Sequence, residues 1–168
     1  MNVLIAYSSK TGNTKAVAEA VAGALGEGAV LAPVSVAPAY EPFDLVVVGF
    51  WIDKGGPDAE ALRYIRQLKG KRVAFFFTLG ADPDSGHAKD CLERSKACFG
   101  GNELTGHFFC QGRISEAMMK WMKRIPKWMP HGPTPERLAR WERASTHPDA
   151  DDLARAAWYF KELTTLHR

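Results

Sequence analysis

Three short apolar runs constrain the fold of this chain more than any other feature of its sequence. Each run is continuous rather than alternating, and together they comprise residues 3–6, 45–48 and 73–77. A strand that is apolar on both sides is typical of a parallel sheet covered by helices on both faces. The runs therefore predict buried parallel strands and not the edges of an open antiparallel sheet.

Helical patterns alternate with these runs. They cover residues 13–25, 57–69 and 85–99, and segments 30–36 and 103–114 fit two further strands. In the second helix, Pro57 is expected just inside the start and Gly70 just past the end. Prolines at 38 and 42 follow the second strand, so the helix after it is predicted to be short or missing. This alternation predicts an α/β fold.

Composition narrows the class of protein. The 168 residues are most simply one domain, and a formal net charge of +3 is too balanced for a nucleic-acid-binding protein. Three cysteines without C-x-x-C spacing indicate neither a disulfide framework nor a zinc site. The start of the chain does not resemble a signal peptide, and no stretch approaches the roughly 18 apolar residues of a membrane span. We therefore expect a cytoplasmic protein that is not integral to a membrane.

The turn between the first strand and the first helix is rich in hydroxyl groups. Its residues are Ser8, Ser9, Lys10, Thr11, Gly12, Asn13 and Thr14. A helix N-terminus offers unpaired N–H groups and the positive end of the helix dipole, which favour an anion. One capping residue would explain one hydroxyl or amide, but not several of them around a glycine. The turn predicts a phosphate-binding loop, although it matches neither the nucleoside-triphosphate nor the dinucleotide fingerprint.

Residues 7–14, with the strand before them and the Ala/Val-rich helix after them, resemble the phosphate loop of the flavodoxins, which bind FMN. The resemblance extends along the chain to about Ser115. It implies a doubly wound, five-stranded parallel sheet of order 2-1-3-4-5, followed here by a helical extension over residues 115–168. Familiar flavodoxins are strongly acidic, so the net charge of +3 implies a different partner surface.

The resemblance implies that two further loops hold the flavin ring. The first contributes Phe50, Trp51, Ile52 and Asp53, and the second contributes Thr78, Leu79, Gly80, Ala81 and Asp82. Trp51 matches the position that covers a ring face, although both aromatics of the first loop would also fit a cap over the core. Asp82 and Asp84 would disfavour the anionic reduced flavin if they lie near it, and they also fit a turn and a helix cap.

One departure from the flavodoxin pattern concerns the first ring loop. Flavodoxins commonly have a glycine after this tryptophan, and its peptide flips to hydrogen-bond the reduced flavin. This chain has Ile52 there, and a β-branched residue resists positive φ. Either Gly55 or Gly56 supplies the flexible peptide, or the one-electron-reduced flavin is poorly stabilised.

The extension contains a segment rich in Met, Trp and basic residues. Its members are Met118, Met119, Lys120, Trp121, Met122, Lys123, Arg124, Lys127, Trp128 and Met129. Three interpretations remain open: a membrane-surface helix, a partner-docking or substrate-contacting lid, and a simple wrap over the domain. A helix capped by Thr134 and a last helix after His147 are predicted beyond it.

Residues 49–55 and 134–141 resemble a branch of small flavodoxin-like proteins found beside bilirubin reductase, which implies an accessory redox role. The first functional hypothesis is an FMN-dependent carrier of electrons to a protein partner. The alternatives are an FMN-dependent reductase of a small planar substrate and a binding or assembly module that has lost FMN. An electron-transfer protein fits this pattern better than a stand-alone enzyme, because no pyridine-nucleotide motif is visible.

Overall fold

Five long strands form one parallel sheet in the computed structural model, which describes residues 1–126, 128–129 and 132–166. The strands are β1 (Val3–Tyr7), β2 (Ala29–Pro33), β3 (Leu45–Asp53), β5 (Arg72–Leu79) and β6 (Glu103–Gln111), with a two-residue β4 (Gly56–Pro57). Their order is β2-β1-β3-β5-β6, and β4 pairs antiparallel with the end of β3. Counting only the long strands, this is the predicted order 2-1-3-4-5, so the predicted fold class is confirmed.

Six α-helices connect and cover the strands in the described part of the chain. They are α1 (Asn13–Leu25), α2 (Ala59–Ile65), α3 (Gly86–Ala97), α4 (Glu116–Arg124), α5 (Pro135–Ala144) and α6 (Ala150–Leu166). None of these helices is long and apolar enough to cross a membrane.

The continuous apolar runs supply two separate cores, one on each face of the sheet. In β1, Leu4 and Ala6 belong to the core that includes α2 and α3, whereas Val3 and Ile5 belong to the core that includes α1 and α6. Successive side chains of a strand point to opposite faces, so a strand between two helical layers must be apolar at every position. This explains why the runs do not alternate.

Phenylalanines dominate the core beneath α2 and α3. Phe50 and Phe75 stack with ring centroids 5.6 Å apart, and Phe75 and Phe99 stack at 5.1 Å. Aromatic pairs of this kind contribute about 0.5–1.5 kcal/mol beyond their buried area. The stack fixes β3 against β5 and so holds the carboxyl ends of these strands in place.

One connection agrees with its prediction, and one helix differs from its predicted boundaries. Residues 34–44, all of them described, contain no helix, as the two prolines predicted. Helix α2 begins later and ends earlier than predicted, because Asp58 caps it and Pro57 lies outside it in β4. At its end the N–H of Leu68 donates to the carbonyl of Ile65 at 3.1 Å, and this tightened turn carries Leu68 into the core.

The last helix packs as part of the sandwich. Ala156, Phe160 and Leu163 of α6 are buried in the core that includes α1, and the Phe160 ring meets that of Phe76 edge-on at 5.9 Å. The segment between β6 and α6, which includes α4 and α5, is therefore inserted between the last strand and the helix that covers it. The division into a core over residues 1–114 and an extension over 115–168 stays a prediction.

Candidate functional site

A cleft of about 380 Å³ lies beyond the carboxyl ends of the central strands. It lies between β1 and β3, where the strand order reverses: the chain continues from β1 to β2 on one side and from β3 to β5 on the other. Open α/β sheets bind ligands at such a point. The lining residues are Lys10, Thr11, Asn13, Thr14, Trp51, Ile52, Thr78, Leu79, Gly80, Gly112, Arg113, Ile114, Ser115 and Met122. The three predicted loops thus converge at one cleft, and a fourth segment joins them.

The loop between β1 and α1 leaves the start of the helix open. Gly12 is the N-cap residue, with a left-handed φ of 88°, and it has no side chain that could cap the helix. The hydroxyl of Ser9 accepts from the N–H of Lys15 at 3.2 Å, in the third position of α1. The N–H groups of Asn13 and Thr14 therefore lack an intrahelical acceptor and are available to an anion beside the exposed Thr11.

Two of the predicted hydroxyl donors are engaged within the protein. Ser8 is buried, and its hydroxyl donates to the Asp58 carboxylate at 2.8 Å. The hydroxyls of Thr14 and Thr78 share a hydrogen bond of 3.0 Å at the wall of the cleft. Ser8 therefore supports the loop from inside the protein, whereas Thr11 carries the exposed hydroxyl of the loop at the cleft.

Asp58 is a buried residue near the start of the helix that was predicted over residues 57–69. One of its carboxylate oxygens accepts from the hydroxyl of Ser8 and from the N–H groups of Glu60 and Ala61. Its own N–H donates to the carbonyl of Trp51 at 3.1 Å. Asp58 thus connects the phosphate-type loop, the tryptophan loop and helix α2. Its place just before an apolar helix was the signal that could have identified it.

The tryptophan loop is a tight β-hairpin. Ile52 pairs with Pro57 and Asp53 with Gly56, and the connecting residues Lys54 and Gly55 both have positive φ, of 51° and 86°. Two-residue turns with positive φ at both positions match the twist of the flanking strands. The positive φ thus falls at Lys54 and Gly55, so Ile52 stays in extended backbone.

Phe50 and Trp51 point to opposite faces of β3. Trp51 is half-buried at the cleft, and the ammonium of Lys10 lies 5.4 Å from the centroid of its ring. Phe50 is fully buried in the phenylalanine stack, with its centroid 5.7 Å from that of Phe77. Alternation along the strand turns the Phe50 side chain into the core, as in the second of the two interpretations of this residue.

The third loop divides between the cleft and the domain. Thr78, Leu79 and Gly80 line the cleft, whereas Ala81 packs against the core beneath α2 and α3. Asp82 accepts from the N–H of Asp84 at 3.0 Å and faces a separate groove. That groove is lined by Asp82, Asp84, Ser85, Glu136, Arg140 and Arg143.

The charged side chains at the cleft are positive, and Asp82 and Asp84 line the separate groove instead. The charged residues that line the cleft are Lys10 and Arg113, and both are cationic. The two acidic residues are held away by their own turn, which the N–H of Ser85 closes on the carbonyl of Asp82 at 3.0 Å. A ligand with negative charge is therefore favoured in the cleft.

The fourth wall was missed by the analysis of the sequence. The N–H of Gly112 donates to the carbonyl of Leu79 at 2.8 Å, and the side-chain amide of Asn13 donates to the carbonyl of Arg113 at 2.8 Å. A Cβ on Gly112 would lie 2.9 Å from the Asn13 amide nitrogen, so the close approach requires glycine. The available signal was that β6, as a parallel strand, must end at the same edge of the sheet as β5.

The cysteines take no part in this site. Cys91 and Cys110 are buried and Cys98 is partly buried, and all three are free thiols. Burial raises the pKa of Cys110 to about 12 and also raises the pKa of Cys91 and Cys98. The thiols therefore stay protonated at neutral pH and act as small apolar groups.

The residues at the cleft fit FMN. The open start of α1 suits the phosphate, and the half-buried Trp51 offers an aromatic face to a flat ring. Backbone groups near Gly80 and Gly112 lie at the wall, where added Cβ atoms would press on Ile114 and Asn13. The volume lies in the range of small-ligand sites, about 300–1,000 Å³.

Comparisons with known proteins identify a matching family and two related proteins. The family model described as a flavodoxin domain matches residues 4–161. The chain is 29% identical over 169 residues to the flavodoxin-like domain-containing protein BilS of Clostridioides difficile, which covers 97% of this chain and 96% of that protein. It is 30% identical over 175 residues to the BilS protein of Clostridium symbiosum, with 92% and 91% covered.

Solved structures share the fold at low sequence identity. A WrbA-like flavodoxin from Agrobacterium tumefaciens matches with a TM-score of 0.61 and 16% identity, covering 98% of this chain and 96% of that one. A flavoprotein from Lactobacillus acidophilus, solved in complex with FMN, matches with a TM-score of 0.54 and 18% identity, covering 64% of this chain and 92% of that one.

Proposed function

The chain belongs to the flavodoxin family, whose cofactor is FMN, and we propose that it binds FMN in the cleft and carries electrons to a protein partner. The observation that carries this proposal is the convergence of the open start of α1 with the Trp51 wall in one cleft. When bound, FMN supplies the redox chemistry, and the protein supplies binding and electrostatic tuning. Its free thiols suit the cytoplasm, where we place it.

We assign the ligand contacts by residue. The N–H groups of Asn13 and Thr14, with the hydroxyl of Thr11, hold the phosphate, and Trp51 covers one face of the ring. Backbone groups at Leu79 and Gly80 face the polar edge of the ring. Ser8, Ser9 and Gly12 shape the phosphate loop from behind, as their hydrogen bonds and backbone angles indicate.

The size of the cleft suits one FMN. At about 380 Å³ it is near the lower end of the range for one small ligand, about 300–1,000 Å³. In the proposed carrier, electrons leave the bound flavin toward a partner at the surface.

One observation favours the alternative, a two-electron reductase of a small planar substrate. The carbonyl of Trp51 accepts from the N–H of Asp58 at 3.1 Å, and the next residue, Ile52, pairs with Pro57. The carbonyl of the peptide between Trp51 and Ile52 is thus engaged by the N–H of Asp58, so this peptide does not turn readily toward a reduced flavin. Two-electron chemistry does not need that turn.

Stepwise anaerobic reduction of the FMN-loaded protein, followed by visible absorption, tests the proposed function. A carrier accumulates one-electron-reduced flavin during the titration, which would require a rearranged hairpin. A direct passage to fully reduced flavin, together with NAD(P)H oxidation that depends on an added acceptor, would establish the reductase instead. A protein that binds no FMN at saturating concentration would overturn both functions.

The cationic lining predicts how the cleft tunes the flavin. Replacing Lys10 by Gln removes a positive charge beside Trp51. We expect the reduced anionic flavin to lose about 1 kcal/mol of stabilisation, which lowers the two-electron midpoint potential by about 20 mV. Lys10→Arg, which keeps the charge, is the matched control. A potentiometric titration that finds the same midpoint in wild type and Lys10→Gln would contradict this role.

A further inference from the structure

Helix α4 divides its side chains between the domain and the solvent. Met119, Met122 and Ile125 are partly buried at a spacing of three residues, and Met122 lines the cleft. The side chains between them are exposed. The exposed side chains Lys120, Trp121, Lys123 and Arg124, with Trp128 and Met129 just after the helix, form what we call the α4 face.

The segment that carries α4 is one of two strongly basic segments of the chain; the other, residues 61–72, carries five basic side chains and no acidic one. Residues 113–129 carry five basic side chains and one acidic one, a net charge of +4, whereas the whole chain is +3. The remainder of the chain is therefore −1. Lys127 contributes to this count and lies outside the described residues. The exposed cations of α4 thus add to Lys10 and Arg113, which line the cleft, and favour a positive potential at its mouth.

The same face exposes large apolar side chains. Trp121 is 61% exposed, Trp128 is 84% exposed and Met129 is 42% exposed. Tryptophan, methionine and arginine are enriched in protein–protein interfaces, and tryptophan and arginine dominate their binding energy. Exposed tryptophans flanked by cations therefore match the centre of an interface with an acidic partner.

We propose that the α4 face is the docking surface for the redox partner, and that this partner presents an acidic surface around an apolar centre. The proposal rests on the proposed function, because it needs a flavin in the cleft. Met122 lines the cleft on one side of α4 while Trp121 faces solvent on the other. A partner on the α4 face is thus one helix away from the flavin, so docking brings donor and acceptor together.

The direction of the apolar side of α4 favours a protein partner over a membrane. An interfacial helix inserts its apolar side into the lipid, but in α4 that side is turned toward the domain, with Met122 at the cleft. Among the side chains of α4 that the structure describes, the exposed ones are three cations, Trp121, Ala117 and Glu116.

Small oxidants of opposite charge test the field at the docking surface. The FMN-loaded protein is reduced anaerobically and mixed with ferricyanide or with tris(phenanthroline)cobalt(III), each of which takes one electron from the reduced flavin. From low to about 0.2 M salt we expect the ferricyanide rate to fall roughly three- to tenfold and the cobalt rate to rise. In Lys120→Glu/Lys123→Glu/Arg124→Glu both trends reverse.

A charge-matched variant separates this local field from the net charge. Arg63→Glu/Arg66→Glu/Lys69→Glu changes three exposed residues in and after α2, and both triple variants take the formal charge from +3 to −3. We expect this control to keep the wild-type trends. Equal responses of the two variants would overturn the docking surface and leave FMN binding intact, whereas an apoprotein that takes up no FMN would overturn the proposed function itself.

Two further measurements exclude the other occupants. Vesicles with 30% phosphatidylserine at about 0.15 M salt should not bind the wild-type protein, as followed by tryptophan fluorescence. Sedimentation velocity should find the same monomer for wild type and for Trp121→Ala. Vesicle binding would overturn the proposal of an acidic protein partner. A wild-type dimer that is lost in Trp121→Ala or in the Lys120→Glu/Lys123→Glu/Arg124→Glu variant would overturn it as well.

Discussion

Replacing Thr11 by Val is expected to weaken FMN binding by about ten- to a hundredfold, which corresponds to the loss of one hydrogen bond to a charged group, about 1.5–3 kcal/mol. Thr11 is the exposed hydroxyl of the loop at the cleft, whereas the hydroxyls of Ser8 and Thr14 are engaged inside the protein. Valine keeps the branched shape and removes only the donor. Fluorescence titration of the apoprotein with FMN measures the effect.

Riboflavin makes this test specific for the phosphate. It has the flavin ring but no phosphate, so its affinity should be the same for wild type and Thr11→Val. Thr165→Val removes the same atoms at an exposed position near the end of α6 and should leave both affinities unchanged. Equal weakening for FMN and riboflavin would mean that Thr11 acts through the shape of the loop, and the phosphate assignment would then be wrong.

The central part of the fold was predictable because its signals are local. Strands β1, β3 and β5 are each apolar at successive positions, which only a two-sided core requires. The N-cap Thr134 of α5 and the missing helix after β2 follow from single residues and from proline chemistry. In each case the signal itself lies within a few consecutive residues.

The parts that were missed depend on neighbours that are distant in sequence. The place of Asp82 depends on a turn that directs it away from the cleft, toward Arg140 and Arg143. Residues 112–115 reach the cleft because Asn13, about a hundred residues earlier, holds the carbonyl of Arg113. No periodicity or motif encodes such a contact, and it appears only once the strands are placed side by side.

Asp58→Ala is expected to lower the free energy of unfolding of the apoprotein by about 2–4 kcal/mol. This figure combines the loss of a helix cap with the cost of leaving a buried hydroxyl without a hydrogen-bond acceptor. The carboxylate caps α2 through the N–H groups of Glu60 and Ala61 and accepts the hydroxyl of Ser8. Ser8 begins the phosphate loop, so FMN affinity should fall as well. Urea unfolding measures the first effect, and flavin titration measures the second.

A second helix cap separates capping from the role beneath the loop. Ser85 caps α3 by accepting from the N–H of Ala88 at 3.2 Å, and Ser85→Ala should cost only about 1 kcal/mol and leave FMN affinity unchanged. Asp58→Asn keeps a carbonyl oxygen for the three donors and should be milder than Asp58→Ala. If Asp58→Ala matches Ser85→Ala in both measurements, Asp58 is a cap alone. A larger loss in both would mean that the buried carboxylate holds the phosphate loop in the shape that binds FMN.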